Sequence, residues 1–141
     1  ITSLSSERIA DLKRGAGAGY ALPAELNGYP GPRHVLDLAK GLSLSADQRR
    51  ETQRLFDAMK AEAIPLGGAL IDKERALDTL FRNGKADERA IFDVTAEAAA
   101  IEARLRATHL KYHLQMAVLL TPHQRRLYRR LRGYHSGHGG H

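Results

Sequence analysis

The feature that most constrains the fold is a pair of long stretches with helical periodicity, separated by one short break. Apolar residues recur at helical spacing after Ser45, and a second series follows Asp87 at alternating spacings of three and four. Asn83 and Gly84 interrupt the pattern between them. Because a short turn forces two long helices to run antiparallel, the sequence predicts a long helical hairpin.

The rest of the chain supports an all-α fold with short flanking helices. Valine and isoleucine are sparse and no stretch shows the alternation of a strand. Short helices are expected after Ser6, from Pro32 to Lys40, and from Pro122 to Arg132, and Pro65 should bend the first long helix. One hairpin of this length cannot bury all the apolar surface of its two long helices, so we expect a homodimer.

The chain divides into three parts by composition. Residues 1–31 read as an N-terminal arm that is partly flexible, residues 32–134 form the hairpin domain, and residues 135–141 are a tail of histidine and glycine. Glycines at positions 15, 17 and 19 resemble a phosphate loop only superficially, because a helix precedes them where that loop needs a strand. Nucleotide binding is therefore not expected.

Two helix starts repeat the same capping pattern. Each has a hydroxyl residue at the N-cap and a glutamine three residues later, which is a capping box. The motifs resemble the doubled LTxxQ motif of the Spy, CpxP, ZraP and CnrX family of periplasmic proteins: Leu44, Ser45 and Gln48, then Leu120, Thr121 and Gln124. That resemblance implies a hairpin that pairs into a cradle-shaped dimer in the periplasm, acting as an ATP-independent chaperone or as a heavy-metal binder or sensor.

Histidines in the second long helix and after it point to a transition metal. His109 and His113 are four residues apart and share one helix face, with Met116 about one turn further. The family resemblance places Met116 at a ligand position of the metal-sensing branch. Imidazole nitrogens bind zinc, copper or nickel ions. The candidate ligands are His109, His113, Met116, His34, His135, His138 and His141.

The basic residues suggest a surface for polypeptides. The net charge is +6, and arginines cluster where two helices begin; the resemblance implies that they hold unfolded or acidic clients. These residues are Arg49, Arg50, Arg125, Arg126 and Arg129. No recognition helix or aromatic stacking platform accompanies them, so nucleic acid is not an expected partner.

Catalytic signatures are missing from the sequence. The chain has no cysteine, no serine in a nucleophile elbow and no Glu-x-x-His pair of the di-iron type. We therefore predict that the protein is not an enzyme. The favoured function is a periplasmic transition-metal-binding protein of heavy-metal sensing or resistance, with a membrane-bound signalling partner as one option. The alternative is a periplasmic chaperone, and neither a signal peptide nor a membrane span is visible.

Overall fold

The computed structural model describes residues 3–17 and 19–134, and these form an all-α fold. The helices are α1 (Ser6–Arg14), α2 (Leu22–Leu26), α3 (Pro32–Asp37), α4 (Ala46–Arg82), α5 (Glu88–Leu119) and α6 (Pro122–Leu131). No strand occurs within those residues. The predicted fold class is confirmed, and none of the described helices is long and apolar enough to cross a membrane.

Helices α4 and α5 are the two long elements, and they pack against each other as the predicted hairpin. The turn between them uses Gly84 at φ +64, and the Asp87 carboxylate accepts from the amide of Ala90 at 2.8 Å, which caps α5. Helix α4 continues without interruption through Pro65. The bend at Pro65 and the homodimer stay predictions.

One compact unit combines residues 3–17 with residues 60–108. Leu12 of α1 is 2% exposed, and it lies so close to α4 that a Cβ on Gly67 would be 2.4 Å from the main-chain oxygen of Leu12. The Ser3 hydroxyl also donates to the Glu74 carboxylate at 2.7 Å. Helix α1 is therefore packed directly on α4, and glycine is what permits the close approach.

The second compact unit combines residues 19–59 with residues 109–134. Its buried apolar core draws on α3, α4, α5, α6 and the segments just before α4 and α6: Val35, Leu42, Leu55, Met59, Tyr112, Met116, Leu120 and Tyr128. Burying side chains of this size supplies the main stabilisation of such a unit, about 1.5–3 kcal/mol for each large aliphatic one.

The two capping motifs contact each other inside this second unit. Both capping boxes form as predicted, at Ser45 with Gln48 and at Thr121 with Gln124. The Gln48 side-chain amide donates to the Gln124 oxygen at 2.8 Å, and the Gln124 amide donates to the Gln48 oxygen at 2.9 Å. Each glutamine thus caps its own helix and joins it to the other.

Two local features differ from the sequence prediction. Helix α3 ends at Asp37, with Leu38 as its C-cap, rather than at Lys40. The chain continues in turns, in which the Leu42 amide donates to the Leu38 oxygen at 2.9 Å, and Leu42 becomes buried while its carbonyl accepts from Gln124 at 3.2 Å. Packing of Leu42 therefore overrides the local helical preference. Helix α2, inside the segment predicted as an arm, was not expected.

Candidate functional site

The paired histidines lie in the last part of α5 within the second compact unit. His109 is 1% exposed and His113 is 9% exposed, so both imidazoles sit among packed side chains rather than at the surface. Their spacing of four residues places them one turn apart on the same helix face. The sequence predicted this pairing; it did not predict what surrounds the two rings.

The backbone before α3 fixes the His113 ring. The Nδ1 atom of His113 lies 2.6 Å from the main-chain oxygen of Tyr29. A carbonyl can only accept a hydrogen bond, so Nδ1 carries a proton, and Nε2 is the nitrogen with the lone pair in the neutral tautomer that fits this contact. Gly31 packs against that edge, because a Cβ there would lie 2.8 Å from Nε2. The tautomer and the orientation of His113 are therefore both set by this segment.

His109 has a different environment. Its ring stacks on Tyr20 with centroids 6.1 Å apart. Its Nε2 atom is buried and has no hydrogen-bond partner among the described residues. Burial lowers the pKa of His109, and the nearby His113 lowers it further, so the ring is neutral at pH 7. A neutral, buried imidazole nitrogen without a partner is costly, and it is chemically able to bind a metal ion.

A buried carboxylate lies beside His113. Glu25 of α2 is 6% exposed, and its Oε1 atom accepts hydrogen bonds from the Tyr128 hydroxyl and, at 3.2 Å, from the Tyr134 hydroxyl. Its Oε2 atom lies 3.9 Å from Nδ1 of His113 and has no hydrogen-bond partner among the described residues. Burial, and then the bond to Glu25, raise the pKa of Tyr128. The Tyr128 hydroxyl therefore stays protonated and donates.

Sequence reasoning missed Glu25 and its tyrosine partners. Tyr128 and Glu25 are 103 positions apart, and no short-range pattern links positions so far apart. The glycines and prolines that follow Glu25 indicate a turn, but they do not indicate which residues that turn contacts. That turn brings the Tyr29 oxygen and Gly31 onto His113.

The described residues do not form a complete metal shell. No group of three or more His, Asp or Glu side chains lies close enough to hold an ion within the described ranges. Met116 is fully buried in the apolar core. The Nδ1 atom of His34 lies 3.4 Å from Nη1 of Arg132, and burial followed by that charge lowers the pKa of His34. His135, His138 and His141 lie outside the described residues. His109 and His113 lie one helical turn apart, and their role as metal ligands stays a prediction.

The predicted client-binding arginines do not share one environment. Arg49 and Arg126 are exposed, and Arg50 is exposed and paired with Asp47. Arg125 and Arg129 are half-buried, and both lie against the turn at Gly28. The five residues therefore divide into a solvated group and a pair that packs on the turn.

A comparison with known protein families supports the sequence resemblance. A family model described as heavy-metal resistance matches residues 15–127, which is well over half of the 141 residues. No curated protein and no solved structure matches the chain. The matched range contains both long helices, both copies of the capping motif and the paired histidines, whereas the tail lies outside it.

Proposed function

The chain belongs to the heavy-metal resistance family, the LTxxQ group that includes Spy, CpxP and CnrX, and we propose that it is a non-enzymatic, periplasmic protein that binds a transition metal in sensing or resistance. Family membership supports the heavy-metal role. The metal ligands, the compartment and the partners are our proposal. The residues that we assign to the ion are His109 and His113.

One observation carries the assignment: Nε2 of His109 is buried and has no hydrogen-bond partner in the described part of the chain, and it lies one turn from a histidine whose ring is already oriented. Histidines that bind metals usually donate their second ring nitrogen to a carbonyl or carboxylate. His113 has this arrangement with the Tyr29 oxygen at 2.6 Å. Zinc, copper or nickel is compatible with imidazole ligands. Such an ion would satisfy the orphan nitrogen and stabilise the folded chain by mass action.

Further ligands must complete the shell, because transition-metal sites with histidine are commonly four-coordinate. We propose that they come from Met116, from His34, or from His135, His138 and His141 of the tail.

Calorimetric titration of the metal-free protein with zinc, copper and nickel tests this assignment. We expect one ion for each chain, and we expect His109→Ala with His113→Ala to abolish binding. His123→Ala is the matched control, because His123 is exposed on α6. A chain truncated after Tyr134 separates the two sources of ligands. If the double variant binds as tightly as the unmodified chain and the truncated chain does not bind, the helical site is wrong.

Exposed apolar residues favour a second candidate function, that of an ATP-independent chaperone. Leu114 is 59% exposed and Val118 is 87% exposed, and they lie one turn apart on α5. Unfolded polypeptides expose apolar segments that could bind such a surface. We expect Leu114→Gln with Val118→Gln to weaken suppression of client aggregation, whereas Gln115→Ala should not. Absence of suppression by the unmodified protein at several-fold excess would eliminate this role.

We also propose that the protein is a homodimer, because large apolar side chains stay exposed on the hairpin. Phe81 is 61% exposed and Phe92 is 73% exposed. Light scattering at micromolar concentration should report twice the chain mass. A mass of one chain under those conditions would contradict the dimer.

A further inference from the structure

Two guanidinium groups of α6 converge on one point beside the turn at Gly28. A Cβ on Gly28 would lie 3.5 Å from Nη2 of Arg125 and 3.8 Å from Nη1 of Arg129. Gly28 adopts φ +88, a conformation that favours glycine. The turn therefore brings its backbone close to both cationic groups and places no side chain beside them.

Arg125 is held in position by two contacts that leave its terminal nitrogens available. Its Nε atom donates to the Gly28 oxygen at 2.8 Å, and its guanidinium carbon lies 4.9 Å from the centre of the Tyr29 ring. A guanidinium stacked on an aromatic face and bonded through Nε loses little further freedom when it binds an anion. The donor is thus preorganised.

Arg129 is the member of the pair whose buried donor is unsatisfied within the described residues. Its Nε atom is buried and has no hydrogen-bond partner in the described part of the chain. Within residues 3–17 and 19–134, neither Arg125 nor Arg129 forms an ion pair with a carboxylate, whereas Arg132 of the same region pairs with Glu25 at 3.5 Å. Two neighbouring cations with an unsatisfied buried donor cost free energy, and an anion between them would offset that cost.

We propose that Arg125 and Arg129 form a site for a tetrahedral oxyanion of charge near −2, with phosphate and arsenate as the matching chemistry. Guanidinium groups bind such oxygens in a bidentate manner. The donors that we assign to the anion are the terminal nitrogens of both residues, because these are the atoms that lie beside Gly28. A carboxylate offers only two oxygens and one charge, whereas a tetrahedral dianion can use three oxygens against two positive charges. This site is separate from the paired histidines and does not depend on the proposed metal role.

The test is calorimetric titration of the full chain with phosphate, arsenate, sulfate and acetate at constant ionic strength. We expect saturable binding of one phosphate, arsenate or sulfate for each chain, because all three are tetrahedral and carry a charge near −2, and much weaker binding of acetate. Arg129→Gln should lower the affinity about tenfold or more, which is the scale of one charge-assisted hydrogen bond. Arg126→Gln is the matched control, because it removes the same charge from an exposed position of the same helix. Its affinity should fall less than threefold or so, as expected for a surface charge under screening.

Several outcomes would overturn the proposal. These are the absence of saturable phosphate binding by the unmodified chain, equal losses in the Arg129 and Arg126 variants, or acetate binding as tightly as phosphate. Vesicles of phosphatidylglycerol provide a further arm, and binding to them without binding of free phosphate would assign the arginines to a lipid headgroup instead. If Arg129→Gln loses helicity, Arg129→Lys replaces it. Lysine keeps the positive charge but lacks the planar pair of N–H donors of a guanidinium, so we expect it to weaken phosphate binding as well. Unchanged affinity would contradict a bidentate contact.

Discussion

The Nδ1 atom of His113 is bonded to the main-chain oxygen of Tyr29, although the two residues are 84 positions apart. This bond connects the end of α5 to the turn before α3, and it determines which nitrogen of His113 keeps its lone pair. The orientation of a candidate metal ligand therefore depends on a backbone segment that precedes the hairpin. Substitutions in that segment should therefore change the orientation of the His113 ring, although His113 itself is unchanged.

Gly31→Ala should destabilise the protein and disturb His113. The new methyl group would lie 2.8 Å from Nε2 and 2.9 Å from Cε1 of the His113 ring, so the ring or the turn must move. Overpacking of this kind costs about 1–3 kcal/mol, measurable by urea denaturation. Gly17→Ala is the control, since nothing lies within 4 Å of its added Cβ. Equal effects of the two substitutions would show that the close contact is wrong.

Gly67→Ala and Gly68→Ala should change stability in opposite directions, although the two glycines are adjacent in α4. Alanine is favoured over glycine inside a helix by about 0.5–1 kcal/mol, and a Cβ on Gly68 meets nothing within 4 Å. A Cβ on Gly67 would lie 2.4 Å from the Leu12 main-chain oxygen, so α1 must move. Thermal and urea denaturation should show Gly68→Ala as the more stable variant. Stabilisation by both would mean that α1 does not pack there.

The free energy of unfolding should decrease as the pH falls below 6.5, the ordinary pKa of histidine. Burial lowers the pKa of His109 from 6.5. Above that value neither state takes up a proton at this residue. Below it the unfolded chain becomes protonated while the folded chain does not, so the free energy of unfolding falls until the folded-state pKa is reached. One such group changes the free energy of unfolding by up to about 1.4 kcal/mol per pH unit.

The source of that slope can be assigned with two substitutions. His109→Gln should flatten the dependence of stability on pH in the range just below 6.5, where the unfolded chain takes up a proton and the folded chain does not. His123→Gln, at an exposed position of α6, should leave it unchanged. His34 contributes with the same sign, because its pKa is also lowered. A slope unaffected by His109→Gln would contradict a buried neutral imidazole.

Gln124→Ala should cost about 1–3 kcal/mol, which is the range for leaving buried hydrogen-bonding groups unpaired. The substitution removes the cap on Thr121, the bond to the Leu42 oxygen and both bonds to Gln48. Gln53→Ala removes only an exposed bond to Asp57, so its effect should be within about 0.5 kcal/mol. A double-mutant cycle with Gln48→Ala should give a coupling energy above about 0.5 kcal/mol.

The long elements of the fold could be predicted because their signals are local. Apolar spacing, the break at Gly84 and the Asp87 cap each operate within a few residues, and the two capping boxes were visible as helix starts. The family resemblance was visible for the same reason and is confirmed. The predicted end of α3 at Lys40 is wrong, because Leu42 packs into the core and the chain leaves the helix after Asp37. That packing preference depends on residues from α4, α5 and α6, which local spacing does not reveal.

The site could be predicted only in part, because its decisive contacts join positions far apart in the chain. The pairing of His109 with His113 follows from helix geometry alone. The burial of Glu25, the packing of Gly31 on His113 and the approach of Arg125 to Gly28 each require the folded chain. A lone carboxylate and a turn of glycines carry no local sign that they will reach histidines and arginines near the C-terminus.

The bonds between Gln48 and Gln124 have a consequence for the order of folding. They join positions 76 residues apart, so they close a large loop and lose more chain entropy than the local turn between α4 and α5. The hairpin turn should therefore form before the glutamines meet, and the glutamine pair should be absent from the transition state. In stopped-flow measurements, Gln124→Ala should accelerate unfolding and leave the refolding rate nearly unchanged. The doubled motif would then form late in folding and would determine the unfolding rate, and with it the lifetime of the folded chain.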